Sequence, residues 1–138
     1  QSMAGHNLAQ ILFFLVAVNE KLLAINLLHV TIRLSKPLVL EALIDFVSEK
    51  LPDAEVFLFG SRATETSTSD SDWDILVLLD QEAISSEKEK SIMDDFYELE
   101  LKTGNVISPL IYSKLVWNKT RPVTRLYQRI SKEAIRIK

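Results

Sequence analysis

Asp72 and Asp74 stand two residues apart where a polar loop, ATETSTSDS, gives way to the apolar run Ile75 to Leu79. In a strand, residues i and i+2 point to the same side. The two carboxylates are therefore presented together, with Trp73 facing the other way. Like charges that close raise each other's pKa unless a cation lies between them. A hard divalent ion with oxygen ligands removes that penalty, and Mg²⁺ takes one or two carboxylates plus phosphate oxygens.

The other end of the loop supplies a second half. Gly60 follows the apolar run Phe57-Leu58-Phe59 and precedes Ser61. A glycine there lets the backbone approach a ligand closely. The N–H groups of a strand-to-helix turn, with the Ser61 hydroxyl, suit phosphate oxygens. A phosphate cradle beside a metal pair fits phosphoryl or nucleotidyl transfer.

Simpler readings stand beside this one. Asp72 can be a turn residue closing a Ser/Thr-rich loop, with Asp74 a solvated strand end. Arg62 can contact phosphate, or pair with Glu65 or Asp70 at the surface. Trp73 reads as core rather than as a base-stacking platform. His6 and His29 are read as structural, and no metal is assigned to them.

The elements around the motif follow from periodicity. A helix is expected over 37–50 after Ser35 as N-cap, with Leu40, Leu43, Ile44 and Val47 at helical spacing. Short strands are expected over 55–59 and 73–79, the second apolar on both faces and so central in a sheet. Between them lies a loop with one helical turn near Ser61. An amphipathic helix over 87–102 puts Ile92, Met93, Phe96 and Leu99 inward. A third strand over 106–112 contains Pro109, which requires an edge or a bulge. A last helix is expected over 123–136. This order describes an α/β (α+β) domain: a small mixed β-sheet flanked by helices.

The stretch from Gly60 to Leu79 resembles the signature of the DNA polymerase β-like nucleotidyltransferase superfamily, and most of all its short members, the minimal nucleotidyltransferases. Gly60-Ser61-Arg62-Ala63 and Ser71-Asp72-Trp73-Asp74 stand between apolar strands at the family spacing. The resemblance covers about 37–138. It implies the nucleotidyltransferase fold, ATP as substrate, two Mg²⁺ ions, and transfer of AMP to an acceptor. Asp72 and Asp74 would hold the metals and act in catalysis; Gly60, Ser61 and Arg62 would bind the nucleotide. Short proteins of this kind resemble the antitoxin halves of toxin–antitoxin pairs, whose partner is a helical nuclease of the HEPN type.

Two departures stand out. The family carries a further glycine shortly after Arg-Ala, where this chain has Thr64-Glu65-Thr66. It also carries a third carboxylate on a neighbouring strand as general base. The strand over 106–112 has none, and Ser108 is nearest to that slot. Glu100 could reach inward only if the preceding helix ended early. A catalytically degenerate module that binds nucleotide or a partner protein is therefore the alternative function.

The whole chain limits the remaining choices. Its 138 residues fit one domain, with 47% apolar and 25% charged residues. Net charge is −3, so no global attraction to nucleic acid is expected. The segment 114–138 is locally basic, with eight Lys/Arg against one Glu. Arg121, Arg125, Arg129, Lys132 and Arg136 recur every three or four residues and are expected on one solvated helical face. Without cysteine there is no disulfide or thiol chemistry, and a cytoplasmic setting is expected.

Gln1-Ser2-Met3 reads as a tag remnant. Residues 4–34 form an apolar helical extension, with a helix over 7–33, and 35–138 form the nucleotidyltransferase domain. The run Ile11 to Val18 lacks a preceding basic region, which argues against a signal peptide. Asn19-Glu20-Lys21 interrupts it, which argues against a membrane span. The extension is therefore expected to be buried or partner-facing, with homo-oligomerisation through it.

Overall fold

The computed structural model describes residues 16, 20, 35–119 and 123–138. Val16 and Glu20 are helical and exposed; the expected helix over 7–33 otherwise lies outside the described residues. Leu34–Lys138 form one compact unit. Among the described residues no helix is long and apolar enough to cross a membrane.

The first helix, α1, is Lys36–Lys50. Ser35 occupies the N-cap in an extended conformation, but its hydroxyl makes no cap; its carbonyl accepts from Val39 N–H at 3.0 Å. Val39, Leu43 and Val47 are fully buried, one turn apart on one stripe. Ile44, expected inside, is 38% exposed. The stripe runs through Val39, a position the 40/43/44/47 spacing passes over.

β1 (Ala54–Phe59) pairs antiparallel with β2 (Trp73–Leu79). Helix α2 (Ser86–Thr103) then carries the chain over to β3 (Ile107–Ser113), which is parallel to β2. Ser85 caps α2 by accepting from Lys88 N–H, and Gly104 ends it at φ +66°. Only glycine enters that left-handed region without strain. Met93, expected on the inner face of α2, is 43% exposed, while Ile92, Phe96 and Leu99 are buried.

β3 is a sheet edge among the described residues, as Pro109 requires. Trp73 N–H donates to Val106 O at 2.9 Å. The parallel ladder then turns the backbone groups of 108, 110 and 112 toward β2 and those of 107, 109 and 111 outward. The missing N–H of Pro109 thus falls on the free edge, where it costs no ladder bond and blunts the edge against pairing.

The end of the chain departs from expectation. A short helix α3 (Lys114–Lys119) follows β3, and α4 covers Arg125–Glu133 only. Thr124 caps α4 by accepting from Tyr127 N–H. Ala134 turns to extended backbone at ψ 139°, and Ile135–Arg136 form β4, antiparallel to β1. The helix stops because β1 has an open edge, and bonds from Ile137 N–H to Val56 O and Val56 N–H to Lys138 O help to satisfy it. The sheet order is β3-β2-β1-β4.

The sheet buries both faces. On one, Val56, Leu58, Trp73, Ile75 and Val77 pack with α1 and α2 residues. On the other, Phe59, Leu76 and Leu78 pack with Trp117 of α3 and with Tyr127 and Ile130 of α4. Strand alternation places Asp74 on this second face, in line with Leu76 and Leu78.

Candidate functional site

The site stands where β1 ends and β2 begins. Phe59, last in β1, pairs with Asp74, second in β2. Gly60 follows at φ +70° and starts a single 3₁₀ turn, Gly60–Arg62. A Cβ added to Gly60 would run into Oδ2 of Asp74. The glycine is thus required twice, by its backbone angle and by the carboxylate against it. The Gly60 carbonyl accepts from Ala63 N–H at 3.1 Å, Thr64 N–H at 3.2 Å and Thr64 Oγ1 at 3.3 Å, which closes the turn.

Arg62 is buried, 7% exposed, and not a surface residue. Its Nη2 donates to Ser71 O at 2.7 Å and to Ser69 O at 3.3 Å; its Nε donates to Ser71 O at 3.2 Å. The guanidinium lies 4.9 Å from the centre of the Trp73 ring. Arg62 therefore pins the far end of the loop one residue before Asp72. The loop's hydroxyls complete the work: Ser71 Oγ accepts from Thr68 N–H at 2.9 Å, and Thr64 Oγ1 meets Thr66 Oγ1 at 2.9 Å. Within the Thr64-Glu65-Thr66 stretch, Glu65 adopts φ +61°. A side chain in that region costs roughly 1–2 kcal/mol, which the surrounding bonds must offset.

Trp73 is fully buried on the α1/α2 face and points away from Asp74, as its core reading requires. Among the described residues its Nε1 has no hydrogen-bond partner.

Asp72 is exposed and Asp74 half-buried. Burial holds the Asp74 carboxyl above its ordinary value, the charge of Asp72 pushes it the same way, and the Arg129 guanidinium pulls it back. The pair is thus electrostatically uncomfortable by itself. A divalent cation with oxygen ligands fits it, because that ion relieves the repulsion and the desolvation together.

The neighbouring strand β3 sets what stands beside Asp74. Ser108 pairs directly with Asp74, and Leu110 and Tyr112 follow opposite Leu76 and Leu78. Ser108 therefore occupies the position next to Asp74 on the same face. α2 continues to Thr103, so Glu98 and Glu100 stay on the helix. Among the described residues no group of three or more metal-ligating side chains forms.

The basic stripe is divided by the fold. Arg125, Arg129 and Lys132 lie on α4, Arg136 lies on β4, and Arg121 is outside the described residues. Sequence spacing treats Arg129 as one solvated charge among several. Its guanidinium lies 6.0 Å from the centre of the Phe59 ring, beside the Asp74 position. Only the pairing of β1 with β2 under α4 reveals that placement.

The family model of the nucleotidyltransferase domain matches residues 40–136. The chain belongs to that family, and it is a nucleotidyltransferase. Among solved structures it is similar to a toxin–antitoxin with AMP-PNP, at 17% identity, 72% coverage of both chains and a TM-score of 0.54. It is also similar to a mutant of the toxin–antitoxin MntA-HpeT, at 18% identity, 70% coverage of this chain, 68% of that one, and a TM-score of 0.50. These likenesses show a shared fold. No curated protein matches.

Proposed function

We propose that this nucleotidyltransferase moves AMP from ATP to an acceptor, with the nucleotide's phosphates held at the junction of β1 and β2. The observation that carries the reading is the packing of Gly60 against Asp74. It sets a backbone turn suited to phosphate beside a carboxylate pair suited to Mg²⁺. Asp72 and Asp74 would hold the metal, which supplies neutralisation of phosphate charge and a template for the displacement. Gly60 and Ser61 line the phosphates. Arg62 acts at one remove, by fixing the loop that presents Asp72.

In the transfer, the acceptor oxygen bonds to the α-phosphorus as the bond to pyrophosphate breaks. The acceptor's proton leaves to solvent or to a base on the acceptor. Ser108, paired with Asp74, is the residue nearest to the slot where the resemblance expects a third carboxylate, and a serine is a poor base without a partner. Losing a general base typically costs about 10² to 10⁴ in rate. That same observation favours the second reading, a degenerate module that binds nucleotide without turnover.

A protein acceptor agrees with the toxin–antitoxin assemblies in which similar folds were solved. We take a helical HEPN-type partner as the candidate and the cytoplasm as the setting. Residues 4–34 would serve as an extension used for self-association, and 35–138 as the catalytic domain.

The test is transfer of label from ATP carrying a radioactive α-phosphate, with Mg²⁺, into lysate of the native host. The Asp72→Asn/Asp74→Asn double variant runs alongside. A labelled band with wild type alone supports the transferase reading and gives the acceptor's size. Nucleotide binding without any band supports the module.

A further inference from the structure

We infer that Arg129 of α4 is a phosphate-binding residue of the site, pairing with the nucleotide's phosphate chain beside Asp74. This rests on the nucleotide-binding reading above and adds a residue outside the Gly-Ser and Asp-x-Asp stretch.

The triphosphate and the two carboxylates together bring more negative charge than bound divalent ions cancel, so a cation from the protein is favoured there. Arg62, the arginine nearest in sequence, is spent. It is buried, bonded to the carbonyls of Ser69 and Ser71, and stacked on Trp73 on the opposite side of the sheet. Arg129 comes from the other layer. Tyr127 and Ile130 anchor α4 on the face that carries Asp74. Arg129 lies between them in sequence, and its guanidinium reaches over Phe59. Phe59 is both the cross-strand partner of Asp74 and the residue before Gly60. The cation is thus set at the corner where the proposed cradle and the carboxylates meet.

Its other engagement is weak. The ion pair with Glu133 is intrahelical, 3.9 Å long, and its arginine side chain is 54% exposed. A pair that exposed contributes little and is readily exchanged for a better anion. An arginine fork matches phosphate oxygens bidentately, which a point charge does not. The aromatic ring beneath the guanidinium holds the side chain without using its donors.

The experiment is calorimetric titration of the full chain with AMP-PNP and with inorganic tripolyphosphate, both with Mg²⁺. It compares wild type, Arg129→Met, Arg129→Lys and, as a control elsewhere on α4, Arg125→Met. Methionine keeps the apolar stem over Phe59. The expected result is a loss of about 10- to 100-fold for both ligands in Arg129→Met, the size of one charge-assisted bidentate contact. Arg129→Lys should lie between, Arg125→Met should match wild type, and melting temperatures should stay close to wild type.

Equal affinity in wild type and Arg129→Met overturns the inference while leaving the nucleotide site intact. So does a loss confined to AMP-PNP, which would mean stacking on the base. A fall in melting temperature that accompanies equal losses in Met and Lys variants would mean a structural role and also overturns it. Failure of wild type itself to bind AMP-PNP removes the nucleotide-binding reading and this inference with it.

Discussion

Gly60 lies beside the carboxylate of Asp74, so that a Cβ at position 60 would meet Oδ2. The two residues are fourteen apart in the chain and meet because β1 and β2 pair with Phe59 opposite Asp74. Gly60→Ala should therefore fail on two counts, collision with Oδ2 and a left-handed φ of +70°. We expect a stability loss of about 1–3 kcal/mol by urea denaturation. Transfer should fall by more than stability explains, because the carboxylate must move aside.

Arg62 should behave as a loop clamp. Arg62→Ala removes three hydrogen bonds to carbonyls and a cation over Trp73. The expected cost is roughly 2–4 kcal/mol. Arg62→Lys keeps the charge without the fork and should recover only part of it. Limited proteolysis should then cut within 64–71 at a rate well above wild type. Normal stability in Arg62→Ala would show that the clamp is not what orders the loop.

How legible was this in the sequence? The end of β1, the whole of β2 and the turn at Ser61 could be read, because Gly60 and the apolar runs on either side mark them sharply. Trp73 could be assigned to the core from strand alternation alone. The role of Arg62 could not, because its partners are backbone carbonyls seven and nine residues on, and carbonyls leave no trace in residue types. β4 is hidden under an arginine and lysine spacing that continues the helical pattern through Arg136. Periodicity places Ile44 and Met93 inward because it selects a broad stripe, while the actual contact stripes run through Val39 and Ile92. The family resemblance draws attention to Ser108 as nearest to the third-carboxylate slot; its pairing with Asp74 emerges only from the parallel register.

Asp74→Asn should stabilise the metal-free protein while abolishing transfer. Burial and Asp72 hold the Asp74 carboxyl above its ordinary value. A carboxyl raised on folding favours the folded state only while protonated, and that contribution is lost as pH rises through the raised value. At neutral pH the amide therefore melts higher than wild type without metal, and the advantage fades toward acid pH. Mg²⁺ should raise the melting temperature of wild type far more than that of the variant. A lower melting temperature for the metal-free variant at neutral pH would contradict this.

Ser108→Asp should place a carboxylate at the position next to Asp74. With Mg²⁺ and ATP we expect label transfer to rise by about tenfold or more, a fraction of what a well-placed base supplies. Without metal the variant should melt lower than wild type, since a third like charge joins the pair. Ser108→Ala should change neither quantity much. A Ser108→Asp variant with unaltered transfer would mean that the acceptor carries its own base.

The central claim is that Asp72 and Asp74 hold a divalent ion against a nucleotide's phosphates. Its most direct test is calorimetric titration with AMP-PNP, with Mg²⁺ and with EDTA, on wild type and on Asp72→Asn/Asp74→Asn. Wild type should bind with Mg²⁺, EDTA should weaken binding by more than about 100-fold, and the double variant should bind weakly in both conditions. Equal affinity with and without Mg²⁺, or wild-type affinity in the double variant, would contradict it and return Asp72 to the role of a turn residue and Asp74 to that of a strand end.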